Sequence, residues 1–185
     1  MAPLINLLKS EKKFVSKVCI TSQHKEMLFQ VLKLFKIKPD YDLNLMSDNQ
    51  SLTSLTAKII TNLEPILRSY KPNLVLLHGD TTTTLAGGLS AYYQKIKIGH
   101  VEAGLRTYDI YSPWPEEANR KLITSLTDLN FVPTEAAKNN LLKENINPNK
   151  IYITGNTVVD SLLHIKHIIN NDIVIEKKIL KELNF

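Results

Sequence analysis

An α/β domain built on a doubly wound parallel sheet is the fold class this sequence predicts, on three observations. Short β-branched apolar runs alternate with longer stretches of helical period, the pattern of successive βαβ units. The apolar runs end in small or polar residues, as strands do where an open sheet presents its carboxyl rim to a ligand. With 185 residues, 43% of them apolar, the chain can bury one compact core and is short for two.

The first strand is "KVCIT" (17–21), followed by a helix over 23–36. A helix over 51–69 stops at "KPNL" (71–74), because proline cannot continue it, and the strand "LVLLH" (74–78) begins there. Next come a helix over 83–94, the strand "IKIGHV" (96–101), and a helix over 115–126 with Pro115 suited to its first turn. The strand "LNFVP" (129–133), a helix over 134–144 capped by Thr134, the strand "IYITG" (151–155) and a helix over 157–169 complete the series. No repeat and no Pro/Gly/Ser-rich linker interrupts it, so residues 1–170 read as one domain. Residues 171–185, "NDIVIEKKILKELNF", read as a charged helical tail or connector.

Composition excludes several classes of function. No apolar run approaches the ~18 residues of a membrane span, and "MAPLINLLKSEKK" lacks a basic segment and a cleavage site, so a cytoplasmic protein is expected. Lys and Arg exceed Asp and Glu by 23 − 18 = 5, but only Arg68, Arg106 and Arg120 are arginines. Scattered lysines offer little bidentate phosphate recognition, which argues against nucleic acid. Cys19 is the single cysteine and lies inside a strand, so neither an internal disulfide nor a reactive role is expected, only packing.

The strand exits read "TSQH", "HGDTTTT", "GHVEAGLRT", "PTE" and "TGNT", and together they make a polar floor. In "HGDTTTT" (78–84), Gly79 lets backbone approach a ligand. The threonine hydroxyls and the N–H groups of the next helix suit an anion or sugar hydroxyls, with one threonine spent on capping. Asp80 follows one strand, Glu102 follows the next, and Glu116 opens a helix that the loop 104–115 can fold back over both. Three acids around one cleft suit general acid and base chemistry. Arg106 and Arg120 flank that loop, where they orient the acids or meet a phosphate, whereas Glu117 reads as an acid favoured at a helix start. His164 and His167 fit one face of an amphipathic helix better than a metal pair, and no metal framework emerges. There is no G-x-G-x-x-G or Walker loop.

The stretch "HGDTTTTLAGGLSAYYQKIKIGHVEAGLRTYDIYSPWPEEANRKLI" (78–123) closely resembles the non-hydrolysing UDP-N-acetylglucosamine 2-epimerases. "VCITSQHKEML" and "IYITGNTVVDSLL" extend the resemblance over about 1–165. It implies the Rossmann-like N-terminal domain of a two-domain, glycosyltransferase B-type enzyme that interconverts UDP-GlcNAc and UDP-ManNAc. UDP is eliminated to leave a glycal and is added back after C2 is reprotonated on the other face, without metal or nicotinamide. On matching motifs, Asp80, Glu102 and Glu116 are the implied catalytic acids, and Asp80, Glu102 and Arg106 the implied substrate contacts. Gln23 and His24 resemble a segment near a regulatory UDP-GlcNAc. The family begins with a strand and a "GTRPE" loop upstream of the "MAP" with which this sequence starts, and carries a second domain beyond its end. The resemblance therefore implies a sheet lacking its first strand and half of a cleft, inactive alone, acting as a homodimer or with a complementing second-domain chain. The alternatives are a non-catalytic nucleotide-sugar-binding or regulatory module, a gene remnant, and a hydrolysing epimerase or glycosyltransferase of the same superfamily, against which the long match argues.

Overall fold

A computed structural model describes residues 1–22, 25–45 and 50–171. The elements run α1 (Ala2–Ser10), β1 (Cys19–Ile20), α2 (Lys25–Leu34), β2 (Tyr41–Asp42), α3 (Leu52–Tyr70), β3 (Leu74–His78) and α4 (Thr82–Tyr93). They continue as β4 (Lys97–Val101), α5 (Glu116–Leu126), β5 (Leu129–Val132), α6 (Glu135–Lys143), a 3-10 turn at Pro148–Lys150, β6 (Ile151–Ile153) and α7 (Thr157–Asn171). Every strand pairing is parallel, as the βαβ alternation requires.

Local chemistry fixes the helix ends. Ser51 and Thr134 cap α3 and α6 by accepting from Ser54 N and Ala137 N, and Lys71 closes α3 in the left-handed region, its N–H bonded to Leu67 O. Pro115 sits one position earlier than expected, as the N-cap of α5. Two elements were not anticipated. Helix α1 starts with Pro3 in its first turn, and its Ala2 and Ile5 pack against the cluster of Val18, Ile20, Leu32, Phe35 and Ile37. Strand β2 has two residues and, among the described residues, pairs with β1 alone, so no alternation in its sequence announces it.

The sheet comes in two pieces. β3, β4, β5 and β6 form a four-stranded sheet in that order, while β1 and β2 form a separate pair. Within the larger piece, β4 is the closed centre: Ile98, His100 and Val101 are buried, and a Cβ on Gly99 would fall 2.6 Å from Leu76 Cδ2 and 3.2 Å from Phe131. Val75 and Leu77 of β3 pack with Leu67, Ala91, Ile98 and Ile123. Leu45, just past β2, joins Leu55 and Ile59 of α3 and Ala86 of α4, so one helical layer reaches both pieces. On the opposite layer, α1 packs against α7 and Ile165 joins the Val18 cluster.

Cys19 corrects an expectation. It is exposed rather than packed, because Val18 and Ile20 take the buried face of the alternating strand and Cys19 takes the other. The residue is open, yet its thiol is crowded enough that burial, aided by Asp42, pushes its pKa up to about 11. On α7, His164 stacks on Phe35 with ring centroids 5.1 Å apart and His167 meets Asn171, so neither pairs with the other. Among the described residues, no helix is long and apolar enough to cross a membrane, and no group of three or more His, Cys, Asp or Glu is arranged for a metal ion. The tail lies outside the described residues apart from Asn171.

Candidate functional site

Asp80 and Glu102 leave β3 and β4 at the same rim, because these strands are parallel neighbours with His78 in register with Val101. Both exits turn sharply, with Gly79 at φ +71° and Glu102 itself at φ +68°. The second value places a non-glycine residue in the left-handed region, a conformation that costs energy and recurs at functional positions. A Cβ on Gly79 would lie 3.7 Å from Glu102 Oε2, so the two exits approach closely.

Glu102 is held on the open side of the rim. Asn156 Nδ2 donates to its Oε1 at 3.0 Å, and His78 Nε2 lies 3.6 Å from its Oε2. His78 also stands 3.5 Å from Thr157 Oγ1, which takes a hydrogen bond of 3.5 Å from the amino group of Met1. Burial, and then that amino group, lower the His78 pKa, so the imidazole is neutral at neutral pH despite the two acids nearby. His100 is fully buried with Nε2 2.6 Å from Gly79 O, and burial lowers its pKa as well. A neutral His100 donating through Nε2 fixes the Gly79 turn from below.

Asp80 is held from the other side by α5. Arg120 donates to Asp80 Oδ2 at 2.7 Å, and Asn119 Nδ2 donates to Asp80 O at 2.8 Å. Arg120 in turn grips Glu117, whose carboxylate also accepts from Thr107 N and Tyr108 N. Burial alone would raise the Glu117 pKa, but these donors outweigh it and hold the carboxyl below its usual range. Glu117 is thus a buried hub tying the loop after β4 to α5 and, through Arg120, to Asp80, a role that its helix-start position did not suggest. Glu116 is half-buried and lies three and four residues before Asn119 and Arg120, so it shares the helical face that meets Asp80.

The two loop arginines part company. Arg106 Nε and Nη2 bind Glu144 at 2.7 Å each, Nη1 donates to Leu105 O, and Nη2 also reaches Thr124. Its side chain has no solvent exposure, so the group expected to contact substrate is engaged within the fold. The threonine row also serves the fold more than anticipated. Thr81 caps α4, Thr84 donates to His78 O at 2.7 Å, Thr82 is buried, and Thr83 lies 3.5 Å from Thr21. Gln23 and His24 lie outside the described residues. Asn119 and Asn156 went unremarked in the sequence; "TGNT" at a strand exit was the signal for the second. Two surface concavities, one between α3 and α4 and one at the amino ends of the strands, are lined by none of the three acids.

Residues 6–185 match the family model described as UDP-N-acetylglucosamine 2-epimerase. The chain is 58% identical over 166 residues to the UDP-N-acetylglucosamine 2-epimerase of Escherichia coli K12, covering 90% of the chain and 44% of that protein. It is 59% identical over 163 residues to that of Neisseria meningitidis, covering 88% and 44%. The N. meningitidis UDP-GlcNAc 2-epimerase crystal structure bound to UDP-GlcNAc superposes with a TM-score of 0.96 at 54% identity, covering 100% of this chain and 50% of that one. The Methanocaldococcus jannaschii enzyme in complex with UDP-GlcNAc and UDP gives 0.86 at 37% identity, covering 92% and 47%. The chain therefore spans about half the length of these relatives.

Proposed function

This chain belongs to the UDP-N-acetylglucosamine 2-epimerase family, and from that premise we propose that it supplies the acid-bearing half of an active site interconverting UDP-GlcNAc and UDP-ManNAc in the cytoplasm. Residues 1–170 supply that Rossmann-like half. Epimerisation at C2 through loss and return of UDP removes a proton from one face and delivers one to the other, so it needs at least two acid/base groups on opposite sides of the sugar. Supporting this reading above all, Asp80 and Glu102 emerge from adjacent parallel strands onto one rim, each gripped by a different element. Arg120 holds the Asp80 carboxylate in place, while Glu102 stands beside Asn156 and a neutral His78. Glu116, on the α5 face turned to Asp80, is the third acid. Arg106 acts in this scheme by fixing the loop after β4 through Glu144 rather than by touching substrate. The opposite wall of the cleft comes from a second domain, and a homodimer or a complementing chain is the assembly in which this half would act.

The test is a chimera in which this chain replaces the matching half of the N. meningitidis relative, assayed by NMR for UDP-GlcNAc isomerisation. Turnover is expected, with Asp80→Asn and Glu102→Gln each lowering it by roughly 10²–10⁴-fold, the range of a lost general acid or base. Turnover insensitive to both substitutions refutes the assignment. Full turnover by the unfused chain refutes the half-site. A chimera that binds UDP-GlcNAc without turning it over favours a binding module.

A further inference from the structure

Among the described residues, the Glu102 carboxylate receives one side-chain hydrogen bond, the donation from Asn156 Nδ2 to Oε1 at 3.0 Å. The two residues are 54 positions apart, and the fold aims one at the other. Thr154 N bonds to Val132 O just past β6, and Gly155, at φ +75° with open space where a Cβ would stand, turns the chain onto α7. Asn156 then precedes the first residue of that helix.

The donor is not free to turn away. Asn156 Oδ1 accepts from Val158 N at 3.0 Å, and its main-chain oxygen accepts from Val159 N at 3.0 Å, so Asn156 caps α7. A backbone N–H can only donate, which obliges the amide oxygen to face Val158 and the amide nitrogen to face Glu102. One side chain thus serves the helix with its oxygen and the acid with its nitrogen.

The grip on Glu102 is one-sided. Asn156 holds Oε1, whereas Oε2 lies 3.6 Å from His78 Nε2 and 3.7 Å from the place of a Cβ on Gly79. His78 ends β3 and Gly79 follows it, so Oε2 faces the strand exit from which Asp80 leaves. The backbone of Glu102 is set by its left-handed turn, but a glutamate side chain left unheld on a rim samples several rotamers. Fixing Oε1 removes that freedom.

We propose that Asn156 is a positioning residue for the epimerisation: by pinning Oε1 it makes Oε2, on the Asp80 side, the oxygen through which Glu102 takes up and gives up its proton. The inference deepens the reading of Glu102 as one of the acids and rests on it. Asn156 itself touches no reacting atom and acts through Glu102 alone.

The test separates capping from positioning. Asn156→Ser and Asn156→Asp each keep an oxygen that caps a helix, and neither leaves a donor within reach of Glu102. In the chimera with the N. meningitidis relative, each should lower kcat by roughly ten- to a hundredfold, the scale of a small misplacement of a reacting group, with KM moved by less than about threefold. Adding Asn156→Ser to Glu102→Gln should cost nothing further, since the amide has no other route to the reaction. Unchanged kcat in the Ser and Asp variants, or an additive double variant, overturns the inference and leaves Glu102 an acid. Turnover indifferent to Glu102→Gln sinks the reading of Glu102 first, and the inference with it. The unfused chain gives a readout that needs no turnover: the NMR signal of the Asn156 side-chain amide should shift in Glu102→Gln. A signal blind to that substitution overturns the inference whether or not the chimera is active.

Discussion

The two halves of this sheet are made of similar residues and end up in different states. Ile98 and Val101 in β4 are closed on both faces, with strands on either side and helices above and below. Val18, Cys19 and Ile20 are no less apolar, yet Cys19 lies open and β1 extends for two residues only. A parallel strand owes its burial to its neighbours, because the helices that cover its faces do not shield an unpaired edge. The functional shelf straddles this contrast. Asp80 leaves β3, the strand at the edge of the larger sheet, and is anchored through Arg120 and Glu117, while Glu102 leaves β4, the closed centre.

That contrast can be broken most forcefully at Glu117. Glu117→Gln takes the buried carboxylate from Arg120 and leaves it only the half-exposed Asp80, and removing one member of a buried pair costs about 3–5 kcal/mol. Urea denaturation should show a loss of that order, and a loss under about 1 kcal/mol would mean that the closed half is not held by this hub. Matched core truncations sharpen the comparison. Leu141→Ala, at a fully buried site of the closed half, should cost about 2–5 kcal/mol, and Ile20→Ala should fall at or below the low end of that range. Equal costs would show that β1 is as tightly packed as α6. Gly104→Ala comes next: Gly104 has φ +83° and an added Cβ meets Ala137 O, backbone that cannot easily yield. About 1–3 kcal/mol is expected, with loss of the loop contacts to Glu117 visible by hydrogen exchange.

Acid should act on the closed half through His100. Its folded pKa lies below that of the unfolded chain, so the unfolded state binds more protons as pH falls below about 6.5. Stability is therefore full above that value and declines beneath it. His100→Gln, which keeps a donor for Gly79 O, should flatten the decline. A second loss follows at lower pH, as Glu117, held below its usual range, takes up its proton. The smallest effect is predicted for Cys19→Ser, within about 0.5 kcal/mol as at other open positions. A larger cost would show that Cys19 is buried.

The alternation of apolar runs with helical stretches located five strands and six helices, since period and capping chemistry are properties of neighbours in the chain. The long motif run also declared the family, and the strand exits declared the rim, because a residue ending a strand needs no partner to announce itself. What the sequence left open was decided by contacts across distance. Arg106 and Arg120 flank one loop and look alike on paper. Yet one finds Glu144, 38 residues away, and the other finds Asp80, 40 residues away. Glu116 and Glu117 are adjacent, but helical geometry leaves one half-buried and turns the other into the interior. Likewise Cys19 reads as core until the assembled fold shows that Val18 and Ile20 take the covered face and leave Cys19 on the open one. Which charges are spent on the fold and which stand free depends on where distant segments come to rest, and only tertiary packing fixes that.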